Sequence, residues 1–304
     1  MNMSAILTQM AVLFIVMAVG YAANKFKVLT SQSNKLLSKL VIYIAMPCTI
    51  LNSVLSGEAT ASGRDAAVFM LMAVASFVLF FLLSAPLPQL VRGQKSDYGM
   101  LRFMVVFGNV GFMGFPIIQS IFGVGAVFYV TIFNIVFSVL CFSVGIIMVS
   151  GKGEKVNPML FVNPTMVAAV LTVILFYTKP GVPAVISESV ELIGRLTTPA
   201  AMLVIGSTLA TISFKEVFGE VRIYPLAAVK LFVIPVLTWL LLRLFITDAL
   251  MLGVLTVLAA MPTASNATML SMEYGGNEIL ASKGIFLTTL LSVATIPLIL
   301  YLLF

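Results

Sequence analysis

Ten apolar stretches run through this chain of 304 residues with short polar joints between them. Their approximate limits are 5–24, 34–55, 66–90, 101–121, 125–149, 161–178, 187–211, 222–246, 249–272 and 281–303. A helix needs about 20 apolar residues to cross the hydrocarbon core of a bilayer. Inside lipid a backbone must satisfy its own hydrogen bonds, which restricts spanning structures to helices and closed barrels. The composition agrees: 61% of residues are hydrophobic and 9% charged, against about 25% charged in a soluble domain. The sequence therefore predicts an all-α integral membrane protein with ten transmembrane helices. It excludes a soluble enzyme, a disordered chain and a nucleic-acid-binding domain. The opening MNMSAILTQMAVLF has no basic segment ahead of its apolar run, so it reads as the first span and not as a signal peptide.

The missing chemistry narrows the function further. There is no histidine, which removes imidazole metal sites and histidine-based triads. Cys48 and Cys141 both lie in apolar stretches, so neither a disulfide nor a metal site is expected, and no cofactor is implied. The carboxylates fall in loops or near span ends, with Glu191 and Glu273 nearest a helix. Intramembrane hydrolysis would need a carboxylate pair or an activated serine, and no motif supplies either. An enzyme is not expected.

Basic residues set orientation, because loops rich in Lys and Arg stay in the cytoplasm. The odd-numbered loops and adjoining helix ends carry twelve: Lys25, Lys27, Lys35, Lys39, Arg92, Lys95, Arg102, Lys152, Lys155, Lys215, Arg222 and Lys283. The even-numbered ones carry four: Arg64, Lys179, Arg195 and Arg243. Odd loops are thus predicted in the cytoplasm and both termini outside the cell membrane.

Two short matches relate the halves of the chain. LLSKL at 36–40 resembles LIGRL at 192–196, and IFG at 121–123 resembles EYG at 273–275 in its aromatic-Gly pair. The offsets, 156 and 152 residues, are close to half the length. They predict two five-helix repeats, 1–150 and 151–304. Five is odd, so the second repeat must be inverted in the membrane. Inverted repeats are typical of secondary transporters, with substrate sites near the midplane between them.

Spans 4 and 9 carry the strongest local signals. Span 4 contains GNVGFMGFP, Gly108 to Pro116, with Asn109, Gly111 and Pro116 inside it. Its counterpart in span 9 is AMPTASNATM, Ala260 to Met269, with Pro262, Thr263, Ser265, Asn266 and Thr268. Glycine loosens a helix and proline removes a backbone donor. Such a stretch must be buried in protein or line a wet cavity. Interrupted spans at matching places in two halves point to a transport site, and half-helix N-termini there suit an anion. Close packing through small residues is the competing explanation, but it does not call for Asn109 and Asn266.

Other polar residues admit two readings each. Lys230 lies about eight residues into span 8, and it either snorkels to the interface or supplies a counter-charge for an anion. Asn163-Pro164 either starts a helix or places Asn163 at the site. Pro47, Cys48 and Thr49 interrupt span 2, as Thr197, Thr198 and Pro199 interrupt span 7. Helix kinks account for both.

Taken jointly, these motifs resemble the auxin efflux carrier family, the bacterial and fungal permeases related to the plant PIN-formed carriers. GNVGFMGFP is similar to that family's span-4 crossover, LAAMPTASNATMLSMEYG (Leu258 to Gly275) to its span-9 crossover, and FVNPT (Phe161 to Thr165) to the start of its sixth span. The resemblance implies ten helices in two inverted repeats, with helices 4 and 9 broken and crossed as in sodium/proton antiporters and bile-acid symporters. Scaffold and transport domains would each be drawn from both repeats. It implies carriage of a small organic anion across the cell membrane, with asparagines matching Asn109 and Asn163 contacting the substrate carboxylate. Plant carriers place a serine three residues after the span-2 proline. This chain has Ile50 there, with Thr49 adjacent, a departure from the aromatic-auxin pattern. The bacterial members it resembles imply a dicarboxylate such as malate or malonate, with an auxin-like monocarboxylate as the alternative. The expected substrate-binding set is Asn109, Gly111, Pro116, Asn163, Pro262, Thr263, Ser265, Asn266, Thr49 and Lys230. Proton or sodium coupling stays open at this level, as does a homodimer. The nearest rival is a sodium-coupled symporter of the bile-acid type, in which Thr263, Ser265 and Asn266 would hold sodium.

Overall fold

A computed structural model describes residues 3–58, 61–151, 162–211 and 217–304. Lys152, Lys155 and Lys215, which entered the charge count, and Phe161 of FVNPT lie outside the described residues. The described residues are helical throughout, with no β-strand. Seven helices among them are long and apolar enough to cross a bilayer, and three shorter ones are apolar. In chain order we label α1 Met3–Lys25, α2 Ser31–Leu55, α3 Gly63–Leu90, α4 Tyr98–Val106, α5 Val110–Phe122, α6 Val124–Ser150, α7 Pro164–Thr178, α8 Ala184–Leu209, α9 Ile223–Leu242, α10 Ala249–Ala259, α11 Asn266–Tyr274 and α12 Glu278–Leu303. The outer faces of α1, α3 and α7 carry exposed Leu, Val and Ile, such as Ile15, Leu71 and Ile174. That is a surface suited to lipid tails.

Several helices widen locally into a π turn, at 41–45, 110–114 and 229–233. Each of these turns ends two residues before a proline: Pro47, Pro116 and Pro235. The cause is steric. A proline ring clashes with the carbonyl four residues earlier and offers that carbonyl no N–H, so the preceding turn opens. A fourth π turn, 141–145, has no proline and ends at Gly145. A Cβ on Gly145 would crowd the Phe103 and Phe107 rings.

The chain divides into two compact units, each built from separated segments. The first holds residues 1–70, 111–135 and 159–211. Here α1 packs along the second part of α8. The helices approach so closely that a Cβ on Gly206 would collide with the backbone of Met17. Asn24 donates from Nδ2 to Ser207 Oγ at 3.0 Å in the same seam. Phe128 stacks on Phe176 with centroids 4.3 Å apart, and Phe69 meets Tyr129 at 4.8 Å.

The second unit holds residues 71–110, 136–158 and 212–304. Its core is aromatic: the Phe107 ring lies 4.7 Å from that of Phe103, 5.7 Å from Phe137 and 6.1 Å from Phe77. At one end Asp97 is buried and accepts from Arg222 and, at 2.9 Å, from Asn277 Nδ2. Arg222 also donates through Nε to Glu220 at 2.7 Å. The Arg222 guanidinium holds the Glu220 carboxyl below its usual range, and Glu220 in turn raises the pKa of Arg222. This network joins the loops before α4, α9 and α12.

Candidate functional site

The helix ending at Val106 and the one ending at Ala259 both stop inside apolar sequence. Phe107 turns to an extended conformation, and Gly108 forms an isolated antiparallel bridge with Thr263. The Asn109 N–H donates to the Pro262 carbonyl at 2.7 Å, and the Ala264 N–H donates to the Phe107 carbonyl at 2.9 Å. Each break thus supplies the partners that the other lost, which is what a low-dielectric interior demands of freed backbone groups. The sequence predicts breaks in these two places. That they pair with each other is the structure's contribution.

Side chains complete the junction. In an unbroken helix the Met104 carbonyl would accept from the N–H of residue 108. Here the Thr263 hydroxyl donates to it at 2.9 Å, while the Thr263 N–H donates to Thr288 Oγ1 at 3.1 Å. Thr263 is fully buried, so its hydroxyl holds the junction together. Asn109, 6% exposed, donates from Nδ2 to Ser265 Oγ at 3.3 Å. Ser265 is exposed, and its carbonyl accepts from Thr268 Oγ1 at 3.0 Å. Asn266 begins α11. Two helices, α5 and α11, therefore start at the junction, and helix starts carry partial positive charge.

Lys230 belongs to the same unit. Its side chain is fully buried, and Nζ has no hydrogen-bond partner among the described residues. It reaches the junction: a Cβ on Gly108 would stand 3.3 Å from Nζ. The Phe80 ring lies below it, with the centroid 5.7 Å away. Of the two sequence readings, snorkelling is thus replaced by burial. The π turn at 229–233 carries this lysine.

The structure gathers Asn109, Pro262, Thr263, Ser265, Asn266 and Lys230 in one unit, while Thr49, Gly111, Pro116 and Asn163 belong to the other. Thr49 is 2% exposed and joins Thr197 Oγ1 at 2.8 Å, and it donates to the Gly194 carbonyl at 2.9 Å. Asn163 Oδ1 accepts from the Met166 N–H at 2.9 Å, an N-cap at the start of α7. Pro116 is buried just past its π turn, and Gly111 faces the Met46 methyl. Sequence reasoning missed Thr288 as a partner of the junction and Phe80 as the ring beside Lys230. Thr288 looks like any helical threonine, and nothing local marks its reach to residue 263.

The family described as "Membrane transport protein" matches residues 5–160 and 155–300. The chain belongs to that family, the auxin efflux carriers. It is 26% identical to an uncharacterised transporter of Methanocaldococcus jannaschii, over 94% of this chain and 95% of that one. It is 26% identical to a Rhizobium meliloti protein named "Putative malonate transporter", over 88% and 86% of the two chains. An uncharacterised transporter of Methanothermobacter thermautotrophicus is 27% identical over 96% of each. The expected family is thereby established, and this auxin efflux carrier relative is a multi-pass membrane transporter.

Proposed function

We propose that this carrier moves a small organic anion, of the malonate or malate type, across the cell membrane by alternating access. The observation that carries the reading is the junction of two interrupted helices, with Asn109, Ser265 and the starts of α5 and α11 around it and the Lys230 side chain reaching it. Neutral amide and hydroxyl donors with two helix N-termini are the chemistry that holds a carboxylate in a membrane. The relative named for malonate supports the same substrate class. We assign Asn109, Ser265 and Asn266 to the carboxylate, Pro262 and Thr263 to shaping the break, and Lys230 to its positive potential. Thr49 and Asn163 act in holding helices, because the Thr49 hydroxyl and the Asn163 carbonyl already serve the backbone.

In this reading the chain has ten spans in two inverted repeats, 1–150 and 151–304, odd loops in the cytoplasm and both termini outside. Scaffold and transport bodies would each draw on both repeats. The two compact units, each assembled from both halves of the chain, support that arrangement. The test is flux into proteoliposomes with malonate, malate, succinate, indole acetate and a neutral amino acid, in sodium and in potassium. Saturable uptake of one carboxylate, with counterflow, is the expected result. Absence of saturable flux or counterflow across the panel would overturn the reading. Dependence on sodium would move the carrier to the bile-acid type.

A further inference from the structure

Asp97, Arg222 and Asn277 share one position: each is the N-cap residue of its helix, Asp97 of α4, Arg222 of α9 and Asn277 of α12. An N-cap side chain ordinarily serves the first turn of its own helix. The Asp97 and Arg222 side chains make no such bond. The buried Asp97 carboxylate instead accepts from Arg222 Nη1 at Oδ2 and from Asn277 Nδ2 at Oδ1, the latter at 2.9 Å. Asn277 does cap its helix, since its Oδ1 accepts from the Leu280 N–H at 3.0 Å. One carboxylate therefore ties the starts of three helices together.

The same three helices meet again at the junction. From α4 the Met104 carbonyl accepts from the Thr263 hydroxyl, and from α12 Thr288 Oγ1 accepts from the Thr263 N–H. From α9 the Lys230 side chain reaches Gly108. Between the two ends these helices pack on one another pairwise. Met104, Lys230 and Thr288 lie seven, eight and eleven residues from their N-caps, roughly 10 to 16 Å of helix. A Cβ on Gly284 of α12 would stand 2.5 Å from the Met104 sulfur of α4.

The register of these helices is exacting. Sliding one of them by a single residue moves it about 1.5 Å, whereas a hydrogen bond keeps its geometry over about 0.5 Å. Thr263 is bonded to α4 through its hydroxyl and to α12 through its N–H, so both bonds survive only at one relative height of the two helices. Apolar contact along their length is non-directional. The bonds at the N-caps are directional, and they join the same helices.

We infer that Asp97 is a positioning residue for the junction: by bonding the N-caps of α9 and α12 to that of α4, it sets the register in which Met104, Thr288 and Lys230 arrive there. Its action passes through Arg222 and Asn277. The inference concerns the geometry of the junction, and only its flux readout rests on the anion-carrier reading above.

The experiment uses Asp97→Asn. The amide oxygen can still accept from Arg222, but its NH₂ now faces the Asn277 NH₂, and the Asn277 oxygen is already taken by Leu280. The bond between α4 and α12 is lost. Amide hydrogen exchange is measured on the purified full chain. Exchange at residues 104–110 and 260–266 should quicken about tenfold, the scale of one hydrogen bond to a charged group. Flux per folded molecule should fall about tenfold or more, because a misplacement of about 1 Å can cost about a hundredfold. Thr49→Val, in the other unit, controls for general loosening and should leave exchange at both segments unchanged. Combining Asp97→Asn with Asn277→Asp returns one carboxylate and one amide to the same two helix starts. The amide at 97 can then donate to the carboxylate at 277, and that double variant should recover the wild-type exchange pattern.

Faster exchange in Asp97→Asn confined to residues 94–99, 220–224 and 275–280, with the junction as in wild type, would make Asp97 a local fastener and overturn the inference. A folded double variant that exchanges at the junction as fast as Asp97→Asn would overturn it too. Faster exchange at the junction with flux unchanged would support the inference and count against the carrier reading. If wild type moves no compound of the panel, the exchange measurement decides alone.

Discussion

In the first unit the interruptions of α2 and α8 meet at Thr49, whose hydroxyl is shared among Thr197, Gly194 and Ala45 at 2.8 to 3.2 Å. In the second unit the breaks after α4 and α10 meet through an isolated bridge and two backbone hydrogen bonds. Both meetings are buried, and both contain proline or glycine. They differ in how far the chain unwinds. Around Thr49 the helices continue on either side with only a widened turn, and a Cβ on Gly194 would stand 3.1 Å from the Thr49 nitrogen. Around Gly108 the backbone leaves the helix, two new helices begin, and a lysine reaches in without a partner among the described residues. A junction whose polar groups are all taken is a fastener. One that retains an unmatched buried amine has a polar group left to satisfy.

The largest expected effect tests the second junction. Replacing Asn109 with Ala should reduce carboxylate flux about a hundredfold, the upper range for a hydrogen bond to a charged group, with the melting temperature close to wild type. Normal flux by that variant would remove the functional half of the comparison. Next is Thr263→Val, which leaves the Met104 carbonyl buried and without its donor. A loss of about 2 kcal/mol is expected for an orphaned buried acceptor, read as a lower melting temperature in detergent. A smaller loss, about 1 kcal/mol, is expected for Thr49→Val, because Thr197 can turn its hydroxyl back onto the Gly194 carbonyl three residues earlier. Flux per folded molecule should not change in Thr49→Val. If flux vanished while the fold survived, both junctions would be sites and the contrast would fail.

The smallest effect concerns the network at the end of the second unit. Glu220 has a lowered pKa, chiefly because Arg222 donates to it. Its contribution is therefore complete above the ordinary glutamate range and is lost as pH falls through the lowered value. A thermal melt should soften slightly on acidification below about pH 4. In Glu220→Gln that part of the pH dependence should be reduced. An identical acid profile in the variant would show that the carboxylate has no net part in stability.

Much of the fold is legible in the sequence, because lipid imposes a simple code. Runs such as Ala66 to Leu83 or Ile285 to Leu303 are long enough and apolar enough to read as spanning helices. Breaks are legible too: Gly and Pro in GNVGFMGFP and Pro262 in AMPTASNATM each remove helix donors or stiffness. The candidate site is legible only in part. Asn109, Ser265 and Asn266 stand out by their polarity, and all three lie at the junction. Thr263 stands out for the same reason, yet its hydroxyl is spent on Met104. Asn163 is equally ambiguous, and its carbonyl caps α7. Polarity alone does not say whether a donor faces a ligand or a stranded carbonyl.

What the sequence determined by itself is the class of molecule and the places where its helices stop, since both follow from local composition and backbone chemistry. What only the tertiary structure decided is which stopped ends meet and which polar groups are left over. Thr288 finds Thr263 across 25 residues, and Lys230 finds Gly108 but no acceptor among the described residues. Those pairings depend on which side chains packing brings within about 3 Å of one another, and no local pattern in the chain encodes that distance.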